Sequence, residues 1–289
     1  MLEQIDNHVW TLAVRLRNWA KRSSALGPIE PVLLKIGPRL IRAPRTEVVV
    51  RLGGGMTMRI PPGYPAARSF ASGQYEPDVT RLFQRIIRTG MTVVDAGANV
   101  GYYSLLACES AGPTGRIYAF EPDPLNFSYL VQNLEANNCS TAQAAEVALS
   151  DSTRIGKFIR DAQGAEGFLT AESNPQAALE VSVDTLDRCL EKVGWPSVDL
   201  IKLDIEGSEL SALEGMRQVN LRNPQLQLIM ELNLSATARA GASSEAVAAL
   251  LRDLGFVHGF VIEAGGVPFD IREGLPKSKA TYNLHLLKV

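Results

Sequence analysis

The chain has 289 residues, 46% of them hydrophobic, and 29 Lys and Arg against 31 Asp and Glu give a net charge of −2. That length suffices for one large core with a small appended element. The near-neutral balance argues against a nucleic-acid binder working by bulk electrostatics. Cys108, Cys139 and Cys189 are far apart with no CxxC spacing, which points to free thiols in a reducing compartment rather than a disulfide framework or a zinc knuckle.

Residues 1–45 stand apart. Leu2, Ile5, Val9, Leu12, Leu16 and Trp19 recur at three- and four-residue spacing, which predicts an amphipathic helix that Gly27-Pro28 ends. Its polar face carries Arg15, Arg17, Lys21 and Arg22. Such a stripe packs on its own domain or on a twin subunit, making a homodimer; an anionic membrane surface is the alternative. Arg15, Arg17 and Asn18 interrupt the run from Val9 to Ala20, so it does not read as a secretory signal. No stretch approaches the ~20 apolar residues of a membrane span. The expectation is a soluble, cytoplasmic protein.

Glu47 to Leu52 and Met56 to Ile60 flank Gly53-Gly54-Gly55, a predicted hairpin closed by Pro61-Pro62-Gly63. The extension and hairpin together are expected to occupy 1–68, and a second domain 69–289.

From there strand and helix alternate. Strands are predicted at Thr92 to Asp95, Arg116 to Glu121, Ala144 to Leu149, Val198 to Leu203 and Leu226 to Leu232. Helices are predicted at Tyr102 to Glu109, Asn126 to Asn137, Glu209 to Met216 and Ser243 to Leu254. Val257 to Ile262, a Gly265-Gly266 turn and Asn283 to Val289 finish the chain. This order predicts an α/β fold with a mostly parallel, doubly wound sheet, the closing pair adding an antiparallel element near one edge.

The strongest chemical signal is Val93-Val94-Asp95-Ala96-Gly97-Ala98-Asn99-Val100-Gly101, an apolar strand running through a glycine turn into a helix. Gly97 and Gly101 let backbone approach a ligand closely, and the helix N-terminus favours an anionic group. Tyr118-Ala119-Phe120-Glu121-Pro122 follows, a second apolar strand whose acid falls about twenty residues after the turn, where nucleotide-binding α/β folds hold ribose hydroxyls. A dinucleotide site favours G-x-G-x-x-G; here the turn reads D-x-G-x-x-x-G, the looser form in which an amino-acid moiety faces the helix.

These segments resemble the FkbM-like family of S-adenosylmethionine-dependent methyltransferases. The resemblance rests on Tyr75-Glu76-Pro77, the turn from Val94 to Ser104, and Phe120-Glu121-Pro122. It rests further on Val147 to Asp151, Val183 to Leu186, and the K-x-D-I-E-G-x-E run from Lys202 to Glu209, and it covers about residues 70 to 289 in the family's order. It implies a Rossmann-like class I fold with a seven-stranded sheet, S-adenosylmethionine as cofactor, and O-methylation of a small molecule bearing a hydroxyl, such as a sugar or secondary metabolite.

Residue by residue, the resemblance places Gly97, Asn99 and Gly101 at the methionine part, Glu121 at the ribose, and Leu149 and Ser150 at the adenine. Asp204 would approach the cofactor's amino group or the acceptor. Tyr75, Glu76, Asp95, Tyr103 and Pro122 complete the cofactor-binding set.

Asp204, Glu206 and Glu209 are an acid cluster that could take Mg²⁺, but Lys202, on the same strand face as Asp204, and the helix dipole account for it without metal. Glu231, at the end of the next strand, faces the same sheet edge. As general base Asp204 is the first candidate and His258 the second. An NAD(P)-dependent oxidoreductase and a non-catalytic nucleoside-binding module are the alternatives, separated by which nucleoside binds. Specificity is expected in 151–180, 233–243 and the N-terminal region, with the middle of 151–180 a loop-rich lid.

Overall fold

The computed structural model describes residues 46–160, 167–170 and 178–288. The predicted N-terminal helix, with the homodimer read from it, and the middle of the expected lid lie outside the described residues. The chain divides into two compact units, Met1–Pro77 and Asp78–Val289.

In the first unit, β1 (Val48–Arg51) and β2 (Thr57–Ile60) pair antiparallel around the three glycines, as their sequence predicts. Val48, Val50, Met58 and Ile60 alternate inward with exposed Val49 and Arg59, the period-two signature of a half-buried sheet. A short helix, α1 (Ala67–Ala71), follows, and the Tyr75 ring packs 4.4 Å from that of Phe70.

The second unit begins with α2 (Pro77–Ile86), β3 (Thr92–Ala96), α3 (Tyr102–Ala111), β4 (Arg116–Phe120), α4 (Pro124–Ala136) and β5 (Ala142–Ala145). Next come β6 (Ala148–Leu149), β7 (Arg154–Arg160), β8 (Gly167–Thr170), β9 (Leu179–Asp184) and α5 (Leu186–Glu191). The remainder is β10 (Leu200–Leu203), α6 (Glu209–Glu214), α7 (Arg217–Arg222), β11 (Gln227–Asn233), α8 (Leu234–Arg239), α9 (Ser244–Asp253), β12 (Phe256–Val261), β13 (Val267–Asp270) and β14 (Thr281–Lys288).

The main sheet runs β13-β12-β14-β11-β10-β3-β4-β5. β11, β10, β3, β4 and β5 are mutually parallel, and β14 enters antiparallel between β11 and β12. The sheet thus has eight strands rather than seven, because β13 folds back on β12 at the edge through the Gly265-Gly266 turn. The expected third strand, Ala144 to Leu149, is divided. Its first part pairs with β4, whereas β6 pairs with β9 in a second sheet of order β6-β9-β7-β8.

Alternation sorts the faces. Val94, Ala96, Ile201, Leu203, Leu228 and Met230 form one core with Leu190, Leu213, Val219 and Leu251 of the helices over that face. The residues between them, Asp95 and Lys202, therefore point to the opposite face, where α3 lies. They are register partners on neighbouring strands, two charged groups on a buried parallel sheet that otherwise demands apolar side chains. Among the described residues no helix is long and apolar enough to cross a membrane.

Candidate nucleoside site at the carboxyl edge of the sheet

The parallel strands β3, β4 and β10 end side by side, and the turns after them carry most of the chemistry expected from sequence. The turn after β3 is stitched to β4, since the Gly97 and Ala98 N–H groups donate to the Phe120 carbonyl at 3.0 and 2.9 Å. Gly97 has a φ of 80°, and a Cβ there would lie 1.8 Å from the Asp204 carbonyl oxygen. The close approach that demands this glycine is thus made to the backbone after β10. Gly101 has a φ of 97° and packs so tightly on α4 that a Cβ would meet Leu130 at 3.0 Å. α3 starts there on a glycine, which brings no side-chain cap, and the positive end of its backbone dipole favours an anionic group.

Asp95 is 1% exposed. Its Oδ2 accepts the Ser104 hydroxyl at 2.6 Å, and its Oδ1 has no hydrogen-bond partner among the described residues. Burial pushes its carboxyl up, against the opposing pull of Lys202 and the Ser104 hydrogen bond.

Glu121, immediately after β4, is 4% exposed. Its Oε2 accepts the Asn99 N–H at 2.8 Å and its Oε1 the Asp123 N–H at 2.9 Å. Asn99 presents that N–H from a left-handed conformation, φ 53°. Burial raises the Glu121 carboxyl to about 8 even though two backbone donors favour its anion. Two donors leave a carboxylate with acceptor capacity for two more. Pro122 follows half-buried, between Glu121 and buried Asp123.

Lys202 is 3% exposed, donates to Asp204 Oδ2 at 2.7 Å, and lies 4.4 Å from the centroid of Tyr103. The Tyr103 ring in turn meets Phe83 edge-on, with centroids 5.0 Å apart. Tyr103 therefore supports the ammonium, and Lys202 neutralises Asp204 as its position two residues upstream suggested. A carboxylate oxygen of Glu231 comes within 4.8 Å of one of Asp204. Glu209 turns inward, accepting the Gly207 N–H at 3.0 Å, and burial lifts it to about 7.

Leu149 and Ser150 lie at the end of β6, both buried, with the Ser150 N–H donating to Asp184 at 3.0 Å. Tyr75 and Glu76 close the first unit, Glu76 at a φ of 36°. The structure does not bring His258 to Asp204. It is exposed on β12, which β14 and β11 separate from β10, about 14 Å at ordinary strand spacing.

Sequence reasoning missed Ser104, Asp123 and Arg160. Ser104 stands at the head of the apolar run Leu105-Leu106-Ala107-Cys108, and Asp123-Pro124 is a helix-start signal. Arg160 had no local signal, since its partner Asp123 is 37 residues away.

The residues present fit a nucleoside bearing an amino-acid arm. Glu121 offers acceptors for hydroxyls, the N-terminal end of α3 suits a carboxylate, and the Asp95 Oδ1, which has no hydrogen-bond partner among the described residues, lies buried on the neighbouring strand β3.

The sequence signature described as "Methyltransferase FkbM domain" matches residues 95–257. The chain is 30% identical over 209 residues to "31-O-demethyl-FK506 methyltransferase FkbM" of Streptomyces tacrolimicus, covering 62% of this chain and 75% of that protein. It is 28% identical over 195 residues to "Methyltransferase sdnD" of Sordaria araneosa, covering 57% and 73%. With "Hexuronic acid methyltransferase AglP" of Haloferax volcanii it shares 27% identity over 141 residues, 49% of this chain and 56% of that one. The matched signature spans the glycine turn, the β4 acid, the second sheet and the Lys202 to Glu209 run, and on it the chain belongs to the FkbM methyltransferase family.

Proposed function

We propose that the protein moves the methyl group of S-adenosylmethionine to a hydroxyl of a small molecule, on a Rossmann-like class I methyltransferase sheet. The observation that carries this reading is the convergence of three features at one sheet edge: the Gly97 to Gly101 turn, the N-terminal end of α3 that begins on Gly101, and buried Glu121. When bound, the cofactor supplies a methyl group on a positively charged sulfur. Gly97, Asn99 and Gly101, with Asp95 beneath, would hold its methionine part. Glu121 and Pro122 would hold the ribose, and Leu149 and Ser150 the adenine.

The chain's contribution is mainly alignment in a water-poor edge. Positioning supplies up to ~7–11 kcal/mol in favourable cases, whereas a general base typically adds 10²–10⁴-fold, roughly 3–5 kcal/mol. A hydroxyl acceptor must lose its proton on methylation, and a carboxylate beside it would take that proton. Asp204 is the residue we assign, with Lys202 holding Oδ2 and leaving Oδ1 for the proton. The family match favours a transferase over an oxidoreductase. The names of two relatives, a demethylated-FK506 methyltransferase and a hexuronic acid methyltransferase, support a hydroxyl-bearing sugar or secondary metabolite as acceptor.

Calorimetry with S-adenosylhomocysteine and with NAD tests the cofactor: the first should bind and the second should not. Labelled methyl transfer to a panel of hydroxylated sugars and polyketides, with the product read as a methyl ether, tests the reaction. Binding of NAD alone would overturn the assignment.

A further inference from the structure

Arg160 ends β7 in the second sheet, outside every motif assigned to the cofactor. Its guanidinium grips both carboxylate oxygens of Asp123, Nη2 lying 2.6 Å from Oδ1 and Nε closing on Oδ2. The Asp123 side chain is 1% exposed. Its Oδ1 also accepts the N–H groups of Leu125 at 2.8 Å and Asn126 at 3.1 Å, capping α4. The Asp123 N–H is the donor that fixes Glu121 Oε1. One loop residue therefore joins the second sheet, the start of α4 and the acid at the end of β4.

We propose that Arg160 is a positioning residue for nucleoside binding: by gripping and neutralising Asp123 it holds Glu121 in place and lets it accept ribose hydroxyls. This rests on the reading of Glu121 as the ribose acid. Two buried carboxylates stand two residues apart across Pro122, and like charges so placed favour the protonated form of either. The charged groups acting on Glu121 are Asp123 from its own loop and Asp95 from β3, and both raise its affinity for a proton. Arg160, arriving from β7, opposes the first of these by pairing with it. A planar guanidinium does so with two parallel hydrogen bonds, fixing orientation as well as charge.

Glu121 is lifted to about 8, so its carboxyl is largely protonated at neutral pH in the free protein. Hydroxyl donors bind the anion better, and affinity for the nucleoside should therefore rise with pH to a plateau above that value. Without Arg160 the uncompensated Asp123 charge shifts this rise to higher pH. Arg160 thereby tunes a site that it does not itself line.

The experiment is calorimetric titration of the full chain with S-adenosylhomocysteine from about pH 6 to about pH 9.5. R160M should weaken binding roughly tenfold near pH 7.5 and move the midpoint of the rise up by about one pH unit. R160K should return the midpoint while recovering affinity only in part. The double variant D123N/R160M removes both charges but keeps the amide oxygen that caps α4, and should show the wild-type midpoint even if R160M is poorly folded. K157M, on the same strand as Arg160, breaks only an exposed pair with Glu180 of β9 and should change nothing. Wild-type binding with an unmoved midpoint in R160M overturns the proposal. So does a D123N/R160M variant as impaired at every pH as R160M. Failure of the wild type to bind S-adenosylhomocysteine at all is a different result, and overturns the underlying reading of the site.

Discussion

Gly97 and Asp204 meet backbone to backbone, so closely that a Cβ on Gly97 would lie 1.8 Å from the Asp204 carbonyl oxygen and 2.9 Å from its carbon. The turn after β3 and the turn after β10 are therefore spaced by a single missing methyl group. G97A should force these turns apart and also strain a residue at a φ of 80°. A loss of ~3 kcal/mol or more is expected, because neither the backbone nor the left-handed conformation can yield cheaply. Urea denaturation measures it, and weakened S-adenosylhomocysteine binding should accompany it. A variant of wild-type stability would mean that the two turns separate freely.

Lys202 is the second test. Removing one partner of a buried ion pair typically costs ~3–5 kcal/mol, and the half-buried Asp204 places this pair toward the low end. K202M should thus lose about 3 kcal/mol in denaturation experiments. K202M/D204N should recover part of that, since Asp204 is then no longer an uncompensated charge, while Asp95 still lacks the pull of Lys202. Equal losses in the single and double variants would show that the charge on Asp204 is not what Lys202 compensates.

Glu121 should be needed for affinity. Losing a charge-assisted hydrogen bond costs ~1.5–3 kcal/mol, so above about pH 8, where Glu121 is ionised, E121A should bind S-adenosylhomocysteine at least about tenfold more weakly. Circular dichroism checks that the fold persists, and unchanged affinity would remove Glu121 from the site.

The same residue gives a pH dependence of stability with a definite sign. Its carboxyl is raised to about 8 in the folded protein from an ordinary value near ~4.3. Its contribution is therefore fully present below that ordinary value and is lost as pH rises toward 8. E121Q cannot ionise, so its stability relative to wild type should improve between pH 5 and pH 8. Paired urea midpoints across that range decide it, and a constant difference would count against a raised carboxyl.

Methyl transfer should survive exhaustive EDTA treatment, because Lys202 already neutralises Asp204 and Glu209 turns inward to the Gly207 N–H. Loss of activity that Mg²⁺ restores would instead make Asp204 a ligand.

Much of the sheet was legible because its strands are short apolar runs separated by helices with a 3.6-residue period. What escaped has particular causes. Val267-Pro268 disguises β13, since proline counts against a strand except at an edge, which is where β13 lies. The run from Ala142 to Leu149 is apolar nearly throughout, and nothing local says that β6 leaves its neighbour for β9. α2 carried a readable signal, with proline first and Val79, Phe83 and Ile87 buried at four-residue intervals.

The site divides in the same way. The glycine turn and Glu121 announce themselves because their spacing is local. The real partner of Gly97 is 107 positions on, and Arg160 finds Asp123 across two sheets. Pairings of that range are set by the assembled fold and leave no trace in a window of neighbours.

The placement of β14 has a consequence for how the sheet is made. β12 and β13 are synthesised before β14, yet they join the main sheet only through it. As the chain leaves the ribosome, that hairpin exists before its berth does, for roughly 1–5 s at ordinary translation rates. During that interval the edges of both β11 and β12 are open to any passing strand, which makes nascent chains halted before Thr281 the species most prone to misassembly.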